Sequence, residues 1–198
     1  MSVELMTRWT SQLYATLERD RDLATELREA SLASSLSRWT TALTRAVVKT
    51  FDALAMPSAG KGHPCSTLSV QRLEYLALDV TAFCEDTPGW QFPSAVCELE
   101  NATDDARIAY SLWKVLCVRA NLRVVFCYHP DLETVPSLVS WLAHTVVAAL
   151  SLQDRVALRG ETMVVVGSRS DATTFPYGFF QLWRLNANTG RFERFTRQ

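Results

Sequence analysis

Two apolar runs constrain this chain more than any other feature of it. Residues 122–128 (Leu-Arg-Val-Val-Phe-Cys-Tyr) and 162–167 (Thr-Met-Val-Val-Val-Gly) read as interior strands. Between them, residues 134–152 contain no Asp, Glu, Lys or Arg and read as a buried helix starting at Val135. Strands joined through helices require a sheet covered by helices. The rest of the chain supplies the partners. A first helix is predicted over residues 3–30, with Leu5, Trp9, Leu13 and Leu17 on one stripe. A second starts near Ser34, carries Leu36, Trp39, Leu43, Val47, Phe51 and Leu54, and is ended by Pro57. Residues 58–66, with Gly60, Gly62 and Pro64, read as a loop.

A strand is expected over 72–83, a turn at Thr87-Pro88-Gly89, and a partner strand over 92–101. Thr103 can cap a following helix, with Asp104 and Asp105 in its first turn and its end near Ala120. A terminal hairpin over 179–185 and 191–195 turns at Asn186-Ala187-Asn188-Thr189-Gly190. The expected fold class is α/β: a mixed β-sheet flanked by helices, with two N-terminal helices and a C-terminal β-hairpin. One domain spans 1–198, divided into a helical pair (1–57) and an α/β core (70–198).

The length of 198 residues suits one domain with a sizeable core. A net charge of −1 gives the whole chain no pull on nucleic acid, but the charge is unevenly placed. Residues 73–106 hold eight acids (Glu74, Asp79, Glu85, Asp86, Glu98, Glu100, Asp104, Asp105) and no Lys or Arg. Residues 155–198 hold seven Arg against Glu161, Asp171 and Glu193, a surface that could face phosphates. The five cysteines form no CxxC pair and read as reduced, buried thiols. The N-terminus has charges where an export signal needs an apolar run, which points to the cytoplasm. Residues 134–152 are about long enough to span a bilayer, but Pro136, Ser137, Ser140, His144 and Thr145 favour a buried helix.

Glu98 and Glu100 stand two apart on a predicted strand, so both carboxylates leave one face, about 6.5–7 Å apart at the backbone. Val96 shares that face, and Cys97 and Leu99 take the other. An antiparallel neighbour would bring Asp79 close to Glu98. Three carboxylates converging without a basic partner raise one another's pKa values, a penalty that a divalent cation removes. Hard oxygen donors suit Mg2+ or Mn2+.

Asp79, an interval of eighteen residues, Glu98-Leu99-Glu100-Asn101, a helix and the strand 122–128 together resemble the core of the PD-(D/E)xK nuclease superfamily. The resemblance covers residues 72–128 and implies a restriction-endonuclease-like fold that hydrolyses phosphodiester bonds in DNA with Mg2+ or Mn2+. It implies Asp79 and Glu98 as metal ligands. Glu100 stands where most members have Lys, as in restriction enzymes with an ExE motif, where it serves as ligand or base. Leu78 stands where Pro usually precedes the Asp. Some members move the Lys onto the following helix, and Lys114 is the candidate here, on a face with Arg107 and Ser111. A solvated helix lysine is the alternative reading. A catalytically inert nuclease-fold protein that binds protein or nucleic acid is the alternative for the whole chain, and the N-terminal helices could serve a homodimer.

Other features carry less. Gly60-Lys61-Gly62 lacks the first Gly and the Ser or Thr of a phosphate loop. Cys127 and His129 read as a core thiol beside a loop histidine, and His144 as a hydrogen-bonded core histidine. Trp9, Trp39, Trp113 and Trp141 follow helical stripes and read as core. Trp183, in the Arg-rich hairpin, is the tryptophan suited to a nucleic-acid surface.

Overall fold

The computed structural model describes residues 2–84 and 89–196. Its elements are α1 (Ser2–Arg19), α2 (Arg21–Leu32), α3 (Leu36–Ala53), β1 (Ser58–Gly60), β2 (Val80–Ala82) and β3 (Ala95–Leu99). They continue with α4 (Asp105–Leu116), β4 (Leu122–His129), α5 (Val135–Leu142), a π-helical turn (Ala143–Val147) and α6 (Leu152–Ala157). The chain ends with β5 (Glu161–Ser168), β6 (Phe180–Asn186) and β7 (Arg191–Phe195). The chain is α/β, with a seven-stranded mixed sheet in the order β1 to β7.

β1, β2 and β3 pair antiparallel, and so do β5, β6 and β7. β3, β4 and β5 are parallel, because helical crossovers join them. Side chains alternate across the sheet. Val124, Phe126 and Tyr128 of β4, with Met163 and Val165 of β5, face a core shared with α1, α2 and α3. Val125 and Cys127, with Val164 and Val166, face a second core built with α4, α5 and the π turn. Both interior strands are thus apolar on both faces, as parallel strands covered by helices must be.

The stripes of α1 and α3 are spent on this chain's own sheet. Trp9 is fully buried, with its ring 6.0 Å from Phe51 and 6.1 Å from Phe126. At the turn between α2 and α3, Leu32 and Leu36 stay exposed. No described helix is long and apolar enough to cross a membrane.

Several local expectations are corrected. The single helix over 3–30 is broken at Asp20, whose side chain accepts from Leu23 N at 3.0 Å and pairs with Lys49 at 2.5 Å. Such a cap starts a new helix. The loop over 58–66 contains β1, which adds an edge strand to β2. Of the strand expected over 72–83, only Val80–Ala82 pairs with β3; Tyr75–Ala77 form a 3-10 turn instead. Asp104, not Thr103, caps α4, accepting from Ala106 N at 2.8 Å, and that helix ends at Leu116. The long helix from Val135 widens into a π turn, where Ala148 N donates to Ala143 O, and stops before Ser151 caps α6. His144, Trp113 and Trp141 are exposed, as are Cys84 and Cys117, whereas Cys65, Cys97 and Cys127 are buried; all five thiols are free. The terminal hairpin forms as expected around Asn186–Gly190. Thr87 and Pro88 of the expected turn lie outside the described residues.

Gly160 opens β5 at φ +84°, and a Cβ there would lie 2.5 Å from the carbonyl oxygens of Ala120 and Asn121. A left-handed alanine alone costs about 1–2 kcal/mol, and two backbone oxygens cannot step aside. Gly160→Ala is therefore expected to lower the unfolding free energy by more than about 2 kcal/mol in urea titration. An unchanged midpoint would refute that close approach.

Candidate active site

The antiparallel register of β2 and β3 sets Val80 opposite Cys97, so one step further along the ladder Asp79 meets Glu98. The contact is direct: Asp79 Oδ2 accepts from Leu99 N at 2.7 Å. Glu98 and Val96 point to the α4 side of the sheet, and Cys97 and Leu99 to the α1–α3 side, as strand alternation requires. Glu98 is 6% exposed, an unusual depth for a carboxylate.

Lys114 reaches this pair from the last turn of α4. Its Nζ lies 2.9 Å from Glu98 Oε1 and donates to the carbonyl of Ala77. The ammonium bridges Glu98 and the Ala77 carbonyl, so the buried Glu98 carboxylate has its charge partner at hand. The reading of Lys114 as a solvated helix lysine is thereby corrected. So is the expectation of an acidic cluster without a counter-ion.

The Ala77 carbonyl owes its position to strain. Leu76 and Ala77 have φ of +57° and +53°, a left-handed region that costs non-glycine residues about 1–3 kcal/mol each. Tyr75, buried below them, donates from its hydroxyl to Val70 O at 2.9 Å and pins the turn. Consecutive left-handed residues of this kind cluster at functional sites.

Glu100 leaves the strand on the same side but does not join the pair. Its Oε1 accepts from Ala102 N at 2.7 Å, and its Oε2 stands 3.7 Å from Arg107 Nε. Among the described residues, no three His, Cys, Asp or Glu side chains assemble a ready-made metal cage. The centre therefore consists of Asp79, Glu98 and Lys114, with Glu100 and Arg107 beside it.

Burial pushes the Glu98 carboxyl up to about 7; Lys114 pulls it down and the charge of Asp79 raises it again. Asp79 is also raised, by burial first, against the lowering effect of the Leu99 N–H. A carboxyl with a higher pKa in the folded chain holds its proton there while the unfolded chain has lost it. Glu98 thus contributes most stability below its ordinary value of 4.5 and loses that contribution as pH rises to about 7. The difference corresponds to roughly 3 kcal/mol. Urea unfolding at about pH 5 and about pH 7.5 should therefore show wild type losing stability that Glu98→Gln does not lose. Parallel losses in the two proteins would contradict this.

No family model, curated protein or solved structure matches this chain. The geometry alone must show what the centre can hold. The carboxylates of Asp79 and Glu98, neighbours across two strands, offer hard oxygens of the kind taken by one divalent cation that keeps most of its waters, as Mg2+ does, with Lys114 as its competitor for Glu98. The remaining candidates do not assemble. Cys127 is fully buried, and burial pushes its thiol far above the ordinary range. His129 Nδ1 is instead engaged with Thr134 Oγ1 at 2.8 Å and with Asp131 O at 3.1 Å. The parts missed from sequence were backbone groups, Ala77 C=O and Leu99 N–H, which no side-chain pattern announces.

Proposed function

We propose that this chain is a metal-dependent phosphodiesterase of the PD-(D/E)xK type, acting on DNA through Asp79, Glu98 and Lys114. The observation that carries this reading is the placement of Lys114 Nζ 2.9 Å from Glu98, on the helix that links β3 to β4. The finer fold assignment, a restriction-endonuclease-like core of β2, β3, α4 and β4, belongs to the same proposal. Support comes from the order of elements and from the acid at the head of β2 meeting the acid in β3.

Asp79 and Glu98 would hold the cation. When bound, Mg2+ or Mn2+ supplies a Lewis acid for a phosphoryl oxygen and a more acidic water. Asp79 is oriented by the Leu99 amide, so it presents its carboxylate without searching for a rotamer. Glu98 must lose its proton to act as a ligand, which ties activity to pH near 7. Lys114 contacts Glu98 and the Ala77 carbonyl at once, and the carbonyl would hold it beside the reacting phosphate when a cation takes Glu98. Glu100 orients Arg107, whose exposed guanidinium suits a neighbouring backbone phosphate. Tyr110 and Trp113, exposed on α4 with rings 5.9 Å apart, flank Lys114 as stacking surfaces for bases.

One observation favours a second reading. Lys114 ties α4 to the chain before β2 through Ala77 and Glu98, so the trio would also serve as a structural brace in an inert binding module. Incubation with supercoiled plasmid separates the two. Nicking with Mg2+ or Mn2+, abolished by EDTA, is expected from the hydrolytic reading. An intact plasmid in both metals sinks it.

A further inference from the structure

A cavity of about 450 Å³ lies between α5 with its π turn, α6, and the β6–β7 hairpin. It shares no residue with Asp79, Glu98 or Lys114. Its size falls in the range of small-molecule sites, roughly 300–1,000 Å³. Arg155, Arg191 and His144 line it, and no carboxylate does. The nearby acids are engaged elsewhere, Asp154 with Ser151 and Glu193 with Arg184 and Asn186. Among the described residues, neither Arg155 nor Arg191 has an ion-pair partner.

Arg155 Nε and Trp183 Nε1, on two of the lining residues, are enclosed by protein without an acceptor and do not open into the cavity. Two guanidiniums and an imidazole in a lining without a carboxylate favour an anionic occupant. The backbone makes room for this arrangement. Gly190 turns the hairpin at φ +69°, and Arg155 Nη1 lies 2.5 Å from where a Cβ would stand, so the guanidinium rests against the hairpin backbone. The π turn places His144 on the rim, where a regular helix was expected to bury it. Val139, Trp183 and Phe192 supply an apolar wall beside the cationic one.

We infer that this cavity binds a phosphate monoester carrying a flat apolar body, of the size and chemistry of a nucleoside monophosphate. The phosphate takes Arg155 and Arg191, and the body lies against Val139, Trp183 and Phe192. The inference does not depend on the hydrolytic reading of Asp79 and Glu98.

Calorimetric titration with adenosine 5′-monophosphate, in EDTA and on the Asp79→Asn protein as well as wild type, tests it. Saturable binding is expected in both proteins, weakened at least about tenfold by Arg155→Gln. Arg191→Gln, at an exposed position on β7, should weaken it similarly. Adenosine without phosphate should bind at least about tenfold more weakly, because the charge-assisted bonds are missing. Absence of saturable binding up to about 10 mM would overturn the proposal. So would wild-type affinity in both arginine variants, or inorganic phosphate binding as tightly as the nucleotide.

Discussion

Asp79→Asn is expected to lower metal-dependent nicking by about three orders of magnitude while leaving the fold intact. The reasoning starts from what the substitution keeps. Asparagine offers the same oxygen to Leu99 N, so the 2.7 Å bond that joins β2 to β3 can persist. What it removes is one of the two anionic ligands proposed for the cation. Metal-assisted hydrolysis draws several kcal/mol from the bound cation, and each 1.36 kcal/mol is about tenfold in rate. Lys114→Met separates the roles further. It should retain cation binding, because Glu98 loses a competitor, yet lower nicking about 100-fold for want of the positive charge at the phosphate. Initial rates of plasmid conversion read both. An Asp79→Asn protein within tenfold of wild type would mean that the acid pair is not the reacting centre.

The second large effect belongs to the core. Trp9→Ala should destabilise the protein by about 3–5 kcal/mol, the range for deleting a buried aromatic side chain. Trp9 is fully buried and packs on Phe51 of α3 and Phe126 of β4, so its loss opens a void where the helical layer meets the sheet. For a chain of this length each kcal/mol moves Tm by about 2–4 °C, giving a fall of roughly 10 °C by calorimetry. A shift of only a degree or two would show that α1 is not held to the sheet through this residue.

The two interior strands were legible because burial on both faces leaves an unbroken apolar run, and little else in a sequence produces one so short. The pairing of Asp79 with Glu98 was legible too, since a strand period of two dictates which side chains share a face. The break at Asp20 leaves one trace in the sequence, the six-residue step from Leu17 to Leu23, which throws the stripe about 120° out of phase between the regular steps of Leu13–Leu17 and Leu23–Leu27. The left-handed turn at Leu76 and Ala77 carries no glycine to announce it. It shortened the expected strand to three residues and made a carbonyl part of the site. Lys114 was placed on the correct helix, but whether it reaches Glu98 depends on how α4 crosses the sheet, which is a packing property. The exposure of Trp113 and His144 was hidden for the same reason. Aromatic and imidazole side chains on an apolar stripe face the core only if the helix stays regular and fully covered.

The most direct test of the account is calorimetric titration of the chain with Mn2+ at about pH 6.5, repeated in two buffers of different ionisation enthalpy. Glu98, with its carboxyl raised to about 7, is mostly protonated there and must give up that proton to bind the ion. One saturable event releasing most of a proton, and lost in Asp79→Asn, is the predicted result. Absence of binding, or binding that survives Asp79→Asn without proton release, would contradict it.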